Sequence, residues 1–283
     1  MQYGLYVPNY GGFGSVMDLV GLAQIAEQAG WDGFFIYDTV YAGSEPVADA
    51  QIAIAGMVMR TSSIKLGALV TPMARTRPWK MAREISALSA LSGGRIVAGV
   101  GLGMDSEYAP FNNERRTARE RGALVDDNLD ILRQLLSGRR IDWTQSPRST
   151  AVLGRPRPDE IHVEAFRPTP VTRVPLWGAA TLVVAEGSKQ PMRAIARASG
   201  LDGIFPIRDD APQRFTPDDL EEVLSLAFKG KPTPPNFDVV VHGEHGDDPG
   251  PLQQAGATWW MCMPDRDDTL ARVQAFARSG PPR

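Results

Sequence analysis

The 283-residue sequence predicts an α/β fold, a single (β/α)8 TIM barrel with a rim insertion between its fourth and fifth units. Three observations predict it. The first is a join used three times: Ala26-Glu27-Gln28-Ala29-Gly30-Trp31-Asp32-Gly33, Ala196-Arg197-Ala198-Ser199-Gly200-Leu201-Asp202-Gly203 and Gln253-Gln254-Ala255-Gly256-Ala257-Thr258. Each closes a small-residue helix on a glycine, which suits the left-handed position at a helix end, and an apolar run follows at once. Repeats of helix, glycine and strand build parallel βα units. The second observation is that eight apolar runs are spaced along the chain, each followed by a candidate helix. The third is that most of these runs lack a polar–apolar alternation, as strands covered on both faces require. Barrels of roughly 250 residues form one domain, so residues 1–283 read as one.

Taken in order, the first strand is predicted over residues 3–7, and a helix follows Ser15, with Asp18 three positions on completing an approximate capping box. Strands at 33–37 and 64–70 follow, with Pro46 and Pro78 suited to first-turn positions of the helices behind them. The fourth strand covers 95–101. The longest helix runs from about 116 to 137, with Leu124, Leu129, Leu132 and Leu136 as its apolar stripe and Gly138 as its stop. Residues 139–172, rich in proline and arginine, break the rhythm and form the insertion; Ala151-Val152-Leu153 and Ile161-His162-Val163 suggest a small hairpin or an ordered loop there. Residues 174–178 and 181–185 compete to be the fifth strand. The last three strands are predicted at 203–207, 237–242 and 257–262, with Thr216-Pro217-Asp218-Asp219 opening a helix between the first two.

Bulk properties exclude several classes. A net charge of −3, from 30 basic and 33 acidic residues, leaves no electrostatic footprint for nucleic acid or an anionic membrane. The single cysteine, Cys262, rules out an internal disulfide and a cysteine-built zinc site, and reads as a buried small apolar group. The chain opens directly into a strand without the features of a signal peptide, and its longest uncharged apolar run, 174–185, is too short to span a bilayer. A cytoplasmic protein is expected.

In such a barrel the site lies at the carboxyl ends of the strands. Those ends carry Asn9 and Tyr10, Asp38 and Thr39, Thr71, then Gly101, Gly103 and Met104, Glu186 to Ser188, Arg208, His242 and Glu244, and Met263. Tyr10, Tyr41, Met104, Tyr108 and Phe111 are candidate apolar walls. There is no His-x-His near the first strand, and His242, Glu244 and His245 read as a solvated loop, so no metal is expected. No strand end carries a lysine for a Schiff base, and no Gly-x-Ser-x-Gly elbow exists. The run Gly99-Val100-Gly101-Leu102-Gly103 fails as a dinucleotide fingerprint because Met104 stands where the third glycine belongs. It reads as a place where backbone approaches a flat ligand closely.

Together, Gly4-Leu5-Tyr6-Val7-Pro8-Asn9, Trp31-Asp32-Gly33-Phe34-Phe35-Ile36-Tyr37-Asp38, Lys65-Leu66-Gly67-Ala68-Leu69-Val70-Thr71-Pro72, Arg77-Pro78-Trp79-Lys80-Met81-Ala82-Arg83-Glu84, Leu91-Ser92-Gly93-Gly94-Arg95 and Gly99-Val100-Gly101-Leu102-Gly103 resemble the bacterial luciferase-like monooxygenase family of flavin and deazaflavin oxidoreductases. Leu201-Asp202-Gly203 and Ala255-Gly256-Ala257-Thr258-Trp259-Trp260 extend the match. The resemblance implies a barrel holding FMN, or alternatively the deazaflavin coenzyme F420, at its mouth. The ring would lie near Asn9, Asp38, Thr39, Thr71, Gly101, Gly103 and Met104. Its phosphate tail would meet backbone amides among Gly178, Ala179, Gly187 and Ser188, where small residues ahead of a helix suit an anion. Many relatives place a histidine where Thr39 stands, and deazaflavin-dependent ones often carry an acid close to Met104, where Asp105 and Glu107 lie near by. No catalytic residue is assigned.

The function implied is hydride transfer between a reduced flavin or deazaflavin and a small organic substrate, in an enzyme that is a possible homodimer. The alternative is a catalytically degenerate barrel that binds its ligand or cofactor without turnover.

Overall fold

The computed structural model describes residues 1–111, 116–183, 190–210, 214–265 and 267–282. The parallel strands are β1 (Gln2–Val7), β2 (Gly33–Ile36), β3 (Lys65–Ala68), β4 (Thr71–Pro72) and β5 (Ala98–Gly101). After an antiparallel pair, β6 (Ile141–Thr144) and β7 (Glu160–Val163), come β8 (Leu176–Leu182), β9 (Gly203–Arg208), β10 (Asp238–Glu244) and β11 (Trp259–Met263). The large sheet runs β3-β2-β1-β11-β10-β9-β8-β5-β4. It begins and ends on one stretch of chain, since only Leu69 and Val70 separate β3 from β4. Leu66 closes the ring by accepting from Val97 N–H at 2.9 Å and donating to Arg95 O at 3.1 Å. The result is a nearly closed parallel barrel surrounded by helices, as the sequence predicts.

The strand faces divide the core in two. Tyr6, Phe35, Leu69, Val97, Trp177, Phe205, Val240, Trp259 and Met261 fill the barrel, and a larger apolar layer lies between the strands and the helices. Burial on both faces accounts for the missing alternation in the sequence.

The helices are α1 (Val16–Gln28), α2 (Ala50–Arg60), α3 (Pro78–Ser92), α4 (Asp105–Tyr108), α5 (Ala118–Ser137), α6 (Pro147–Val152), α7 (Met192–Ser199), α8 (Pro217–Phe228), α9 (Gly250–Gln254) and α10 (Leu270–Ser279). Ser15 caps α1 by accepting from Asp18 N–H at 3.3 Å. The longest helix, α5, starts on a Thr117–Glu120 capping box and stops at left-handed Gly138. Pro46 does not enter α2: Asp49 caps that helix, and the Pro46 carbonyl instead accepts from Gly11 N–H. Gly30 and Gly256 take positive φ at their joins, but Gly200 closes α7 at φ −89, so that join does not need a glycine conformation.

Two sequence expectations change in the middle of the chain. The fifth strand, β8, takes residues from both candidate runs, because its six-residue register with β9 (Trp177↔Gly203 to Leu182↔Arg208) holds the whole stretch extended. Within 139–172, β7 includes Ile161 to Val163 as expected, but Ala151 and Val152 end a helix and do not form a strand. Ser146 caps that helix and Pro147 occupies its first turn. This segment packs on α5, with Trp143 Nε1 donating to Asp130 at 2.9 Å and Gln145 Nε2 to Asp127 at 2.7 Å. No helix among the described residues is long and apolar enough to cross a membrane.

Candidate functional site

At the end of β1, Asn9 is fully buried and spends its amide on the chain. Its Nδ2 donates to Thr39 O at 2.8 Å and Ala48 O at 2.7 Å, while its Oδ1 accepts from Thr39 N–H at 3.1 Å. Asn9 therefore shapes the loop after β2, which carries Asp38.

Asp38 meets Arg75, from the connection between β4 and α3. Arg75 Nη2 donates to Asp38 Oδ1 at 2.7 Å and also to the Asp38 carbonyl. Its Nη1 stands 3.7 Å from Glu107 Oε2, on α4, and is buried with no hydrogen-bond partner among the described residues. Glu107 Oε2 accepts from Met104 N–H at 3.2 Å. Burial raises the pKa of this carboxyl and the Asp38 charge adds to the rise, opposed by Arg75, the Met104 amide and the Thr39 hydroxyl. A carboxyl whose pKa is perturbed by burial and by a specific charge partner is a candidate for acid–base function.

Behind this cluster a row of rings crosses the barrel mouth. Ring centroids lie 6.2 Å apart for Tyr10–Tyr37, 4.6 Å for Tyr37–Tyr6, 5.7 Å for Tyr6–Phe205 and 5.6 Å for Phe205–His242. The Tyr6 hydroxyl donates to Leu69 O, and burial keeps both Tyr6 and Tyr37 protonated by raising their pKa values. Over the mouth, Tyr41 and Phe111 meet edge to face at 6.1 Å, and Met104 is 64% exposed.

The remaining sequence-predicted residues fall in different places. Gly101 and Gly103 do permit a close approach, but the chain itself makes it. A Cβ at Gly101 would lie 2.5 Å from Val70 Cγ2, and one at Gly103 would lie 2.8 Å from both Pro72 Cβ and the Tyr108 hydroxyl. Thr71 is in register with Val100 and shares its face, which packs outward. Gly178 also faces outward, where a Cβ would strike Ala198, while Ala179 lies beside Gly101. Gly187 and Ser188 lie outside the described residues. Tyr108 is buried and donates to Leu102 O, so it is no exposed wall. Asp105 turns away to pair with Arg121. His242 and His245 separate, the latter packing 4.0 Å from the Phe276 ring. Sequence reasoning missed Arg75, whose signal was its place just past a strand end.

The family model for luciferase-like monooxygenases matches residues 4–204. The chain belongs to that family. An F420-dependent glucose-6-phosphate dehydrogenase of Rhodococcus jostii (strain RHA1) is 30% identical over 294 residues, covering 93% of this chain and 85% of that protein. An F420-dependent glucose-6-phosphate dehydrogenase of Beutenbergia cavernae is 30% identical over 162 residues; the match takes in 54% of this chain and about half (48%) of that enzyme's length. Among solved structures, an F420-dependent secondary alcohol dehydrogenase in complex with an F420-acetone adduct shares the fold. It has a TM-score of 0.74 and 14% identity, and the match covers 98% of this chain and 97% of that one.

The residues present fit a flat, polar-edged cofactor. The mouth offers an aromatic floor, an apolar lip and a buried Arg75 Nη1 lacking a hydrogen bond. A buried polar group of this kind is ordinarily satisfied, and Arg75 Nη1 is left as a donor that a polar cofactor edge could use.

Proposed function

We propose that this chain is an oxidoreductase that binds F420 at the barrel mouth and serves hydride transfer to or from a small organic substrate. The observation that carries the reading is the shared guanidinium: Arg75 sits between Asp38 and Glu107 at the head of the aromatic row, with one nitrogen unsatisfied. F420 is placed ahead of FMN because the relatives matched over most of their length are F420-dependent enzymes. Bound there, the deazaflavin would supply the hydride chemistry.

The protein's part is binding and proton control. Asp38 and the carbonyl beside it fix the Arg75 guanidinium, which then orients a polar edge of the cofactor. Glu107, with its raised pKa, is suited to hold or release a proton at Oε1, because Oε2 is engaged by the Met104 amide. Tyr41, Phe111 and Met104 exclude water from above.

Titration of the purified protein with F420, and separately with FMN, tests this through fluorescence quenching. Quenching of F420 at micromolar concentration, with weaker FMN binding, is expected. Binding of neither overturns the reading. F420 binding with no turnover across a panel of alcohols and aldehydes would favour the degenerate, ligand-binding alternative.

A further inference from the structure

His242 stands apart from the rest of the mouth. It occupies an inward position on β10, two residues beyond Val240 of the interior core, with its ring against Phe205. Glu244, the next residue on that face, is occupied by Arg214 at 3.2 Å. Burial lowers the His242 pKa to about 4, so at neutral pH one ring nitrogen carries N–H and the other a lone pair. The ring is half-buried, so its polar edge is not sealed inside the core and is open to a ligand at the rim.

The aromatic row gives the mouth two ends. On the reading above, the cofactor ring lies toward Asp38 and Arg75, beside Tyr37. His242 marks the opposite end, beyond Tyr6 and Phe205, so the group that reaches it belongs to the substrate.

We propose that His242 is the specificity-determining residue that hydrogen-bonds the substrate oxygen, and that the substrate is a small, uncharged alcohol or carbonyl compound. The inference rests on the cofactor reading of the mouth. A neutral imidazole serves both redox forms of such a compound: its N–H donates to a carbonyl oxygen, and its bare nitrogen accepts from a hydroxyl. The side chains around it, Phe205, Ile207, Met261 and Met263, belong to the interior apolar cluster. Against them a phosphate or carboxylate would lose its hydration, and Arg214 beyond them is already engaged by Glu244 and Asp247.

The chain has three histidines, so 15N-histidine labelling yields three resolvable rings. The protein is titrated with cyclohexanone, cyclohexanol and glucose 6-phosphate, first alone and then loaded with F420. We expect the ketone and the alcohol to shift the His242 ring signals and glucose 6-phosphate to leave them in place. His242→Ala should weaken cyclohexanone binding about tenfold with unchanged F420 affinity, and His242→Gln should recover part of the loss. The proposal is overturned if neither uncharged probe moves His242, if His242→Ala binds cyclohexanone as tightly as the native protein, or if only glucose 6-phosphate shifts the ring. Failure of the native protein to bind F420 strikes the cofactor reading instead, and the ring titration without F420 still judges His242.

Discussion

Arg75 Nη2 donates to Asp38 Oδ1 at 2.7 Å across 37 residues of chain, joining the loop after β2 to the one after β4. Both side chains are largely buried, at 15% and 13% exposure, so the pair is shielded from the screening that weakens surface ion pairs. Because Glu107 shares the same guanidinium, those two loops and helix α4 are held in one arrangement at the mouth.

Replacing Arg75 with alanine should leave Asp38 and Glu107 as close, uncompensated carboxylates. We expect a loss of about 1–3 kcal/mol in unfolding free energy and F420 binding weakened by more than tenfold. Arg75→Lys should restore part of the stability but little of the affinity, since a lysine ammonium cannot reproduce the two-sided fork. Urea denaturation and fluorescence titration of the two variants measure the two effects separately.

Glu107 makes a pH-dependent contribution with a definite sign. Its pKa in the fold lies above the ordinary glutamate value, chiefly through burial. The folded state therefore holds the proton more tightly than the unfolded chain does. The stability this provides is complete below the ordinary glutamate pKa and is lost as pH rises through the raised one. Glu107→Gln should remove that loss, making the variant relatively more stable than the native protein at neutral pH, while turnover falls. Thermal melts of both proteins between pH 4 and 8 check this; parallel curves would refute it.

The parallel βα order was legible because small-residue helices ending at Gly30 and Gly256 are local signals, and local signals survive in a linear sequence. Asn9, Asp38 and Thr39 were legible as strand-end residues for the same reason. What the sequence did not disclose is which loops meet. Nothing near Arg75 announces Asp38 or Glu107, because their association depends on the closure of the ring. The direction a side chain faces was hidden likewise: Gly178 and Ala179 necessarily sit on opposite faces of β8, and only their packing, Gly178 against Ala198 and Ala179 beside Gly101, shows which of the two points inward. The fifth strand stayed ambiguous because 174–185 is apolar throughout, which leaves no boundary to read.

Glu27 ties the end of α1 to the segment that precedes β3. Its carboxylate accepts from Ser62 N–H at 2.8 Å, Ser63 N–H at 2.6 Å and Ile64 N–H at 3.0 Å. These bonds, working against desolvation, lower its pKa from 4.5 to about 2. The stabilisation is present above the ordinary pKa and disappears as pH falls through the lowered one. Glu27→Gln should therefore be less stable than the native protein at pH 7. The gap should close as pH falls from about 4.5 toward 2. Acid titration followed by circular dichroism measures it, and a gap that stays constant with pH would contradict the assignment.

Gly103 links backbone conformation to the state of Glu107. It adopts φ +74, a left-handed conformation that side chains disfavour, in the turn between β5 and α4. An added Cβ would also lie 3.0 Å from Glu107 Oε2 and 2.8 Å from the Tyr108 hydroxyl, which anchors the turn through Leu102 O. Gly103→Ala should cost about 1–2 kcal/mol for the conformation alone and push the Glu107 carboxylate away from Arg75. Gly101→Ala serves as the control, since the obstruction there is the Val70 side chain and the backbone is unstrained. If the arrangement of Glu107 matters for binding, Gly103→Ala should lose more F420 affinity than Gly101→Ala at matched loss of stability. Equal losses in the two variants would mean that the turn supports the fold and not the site.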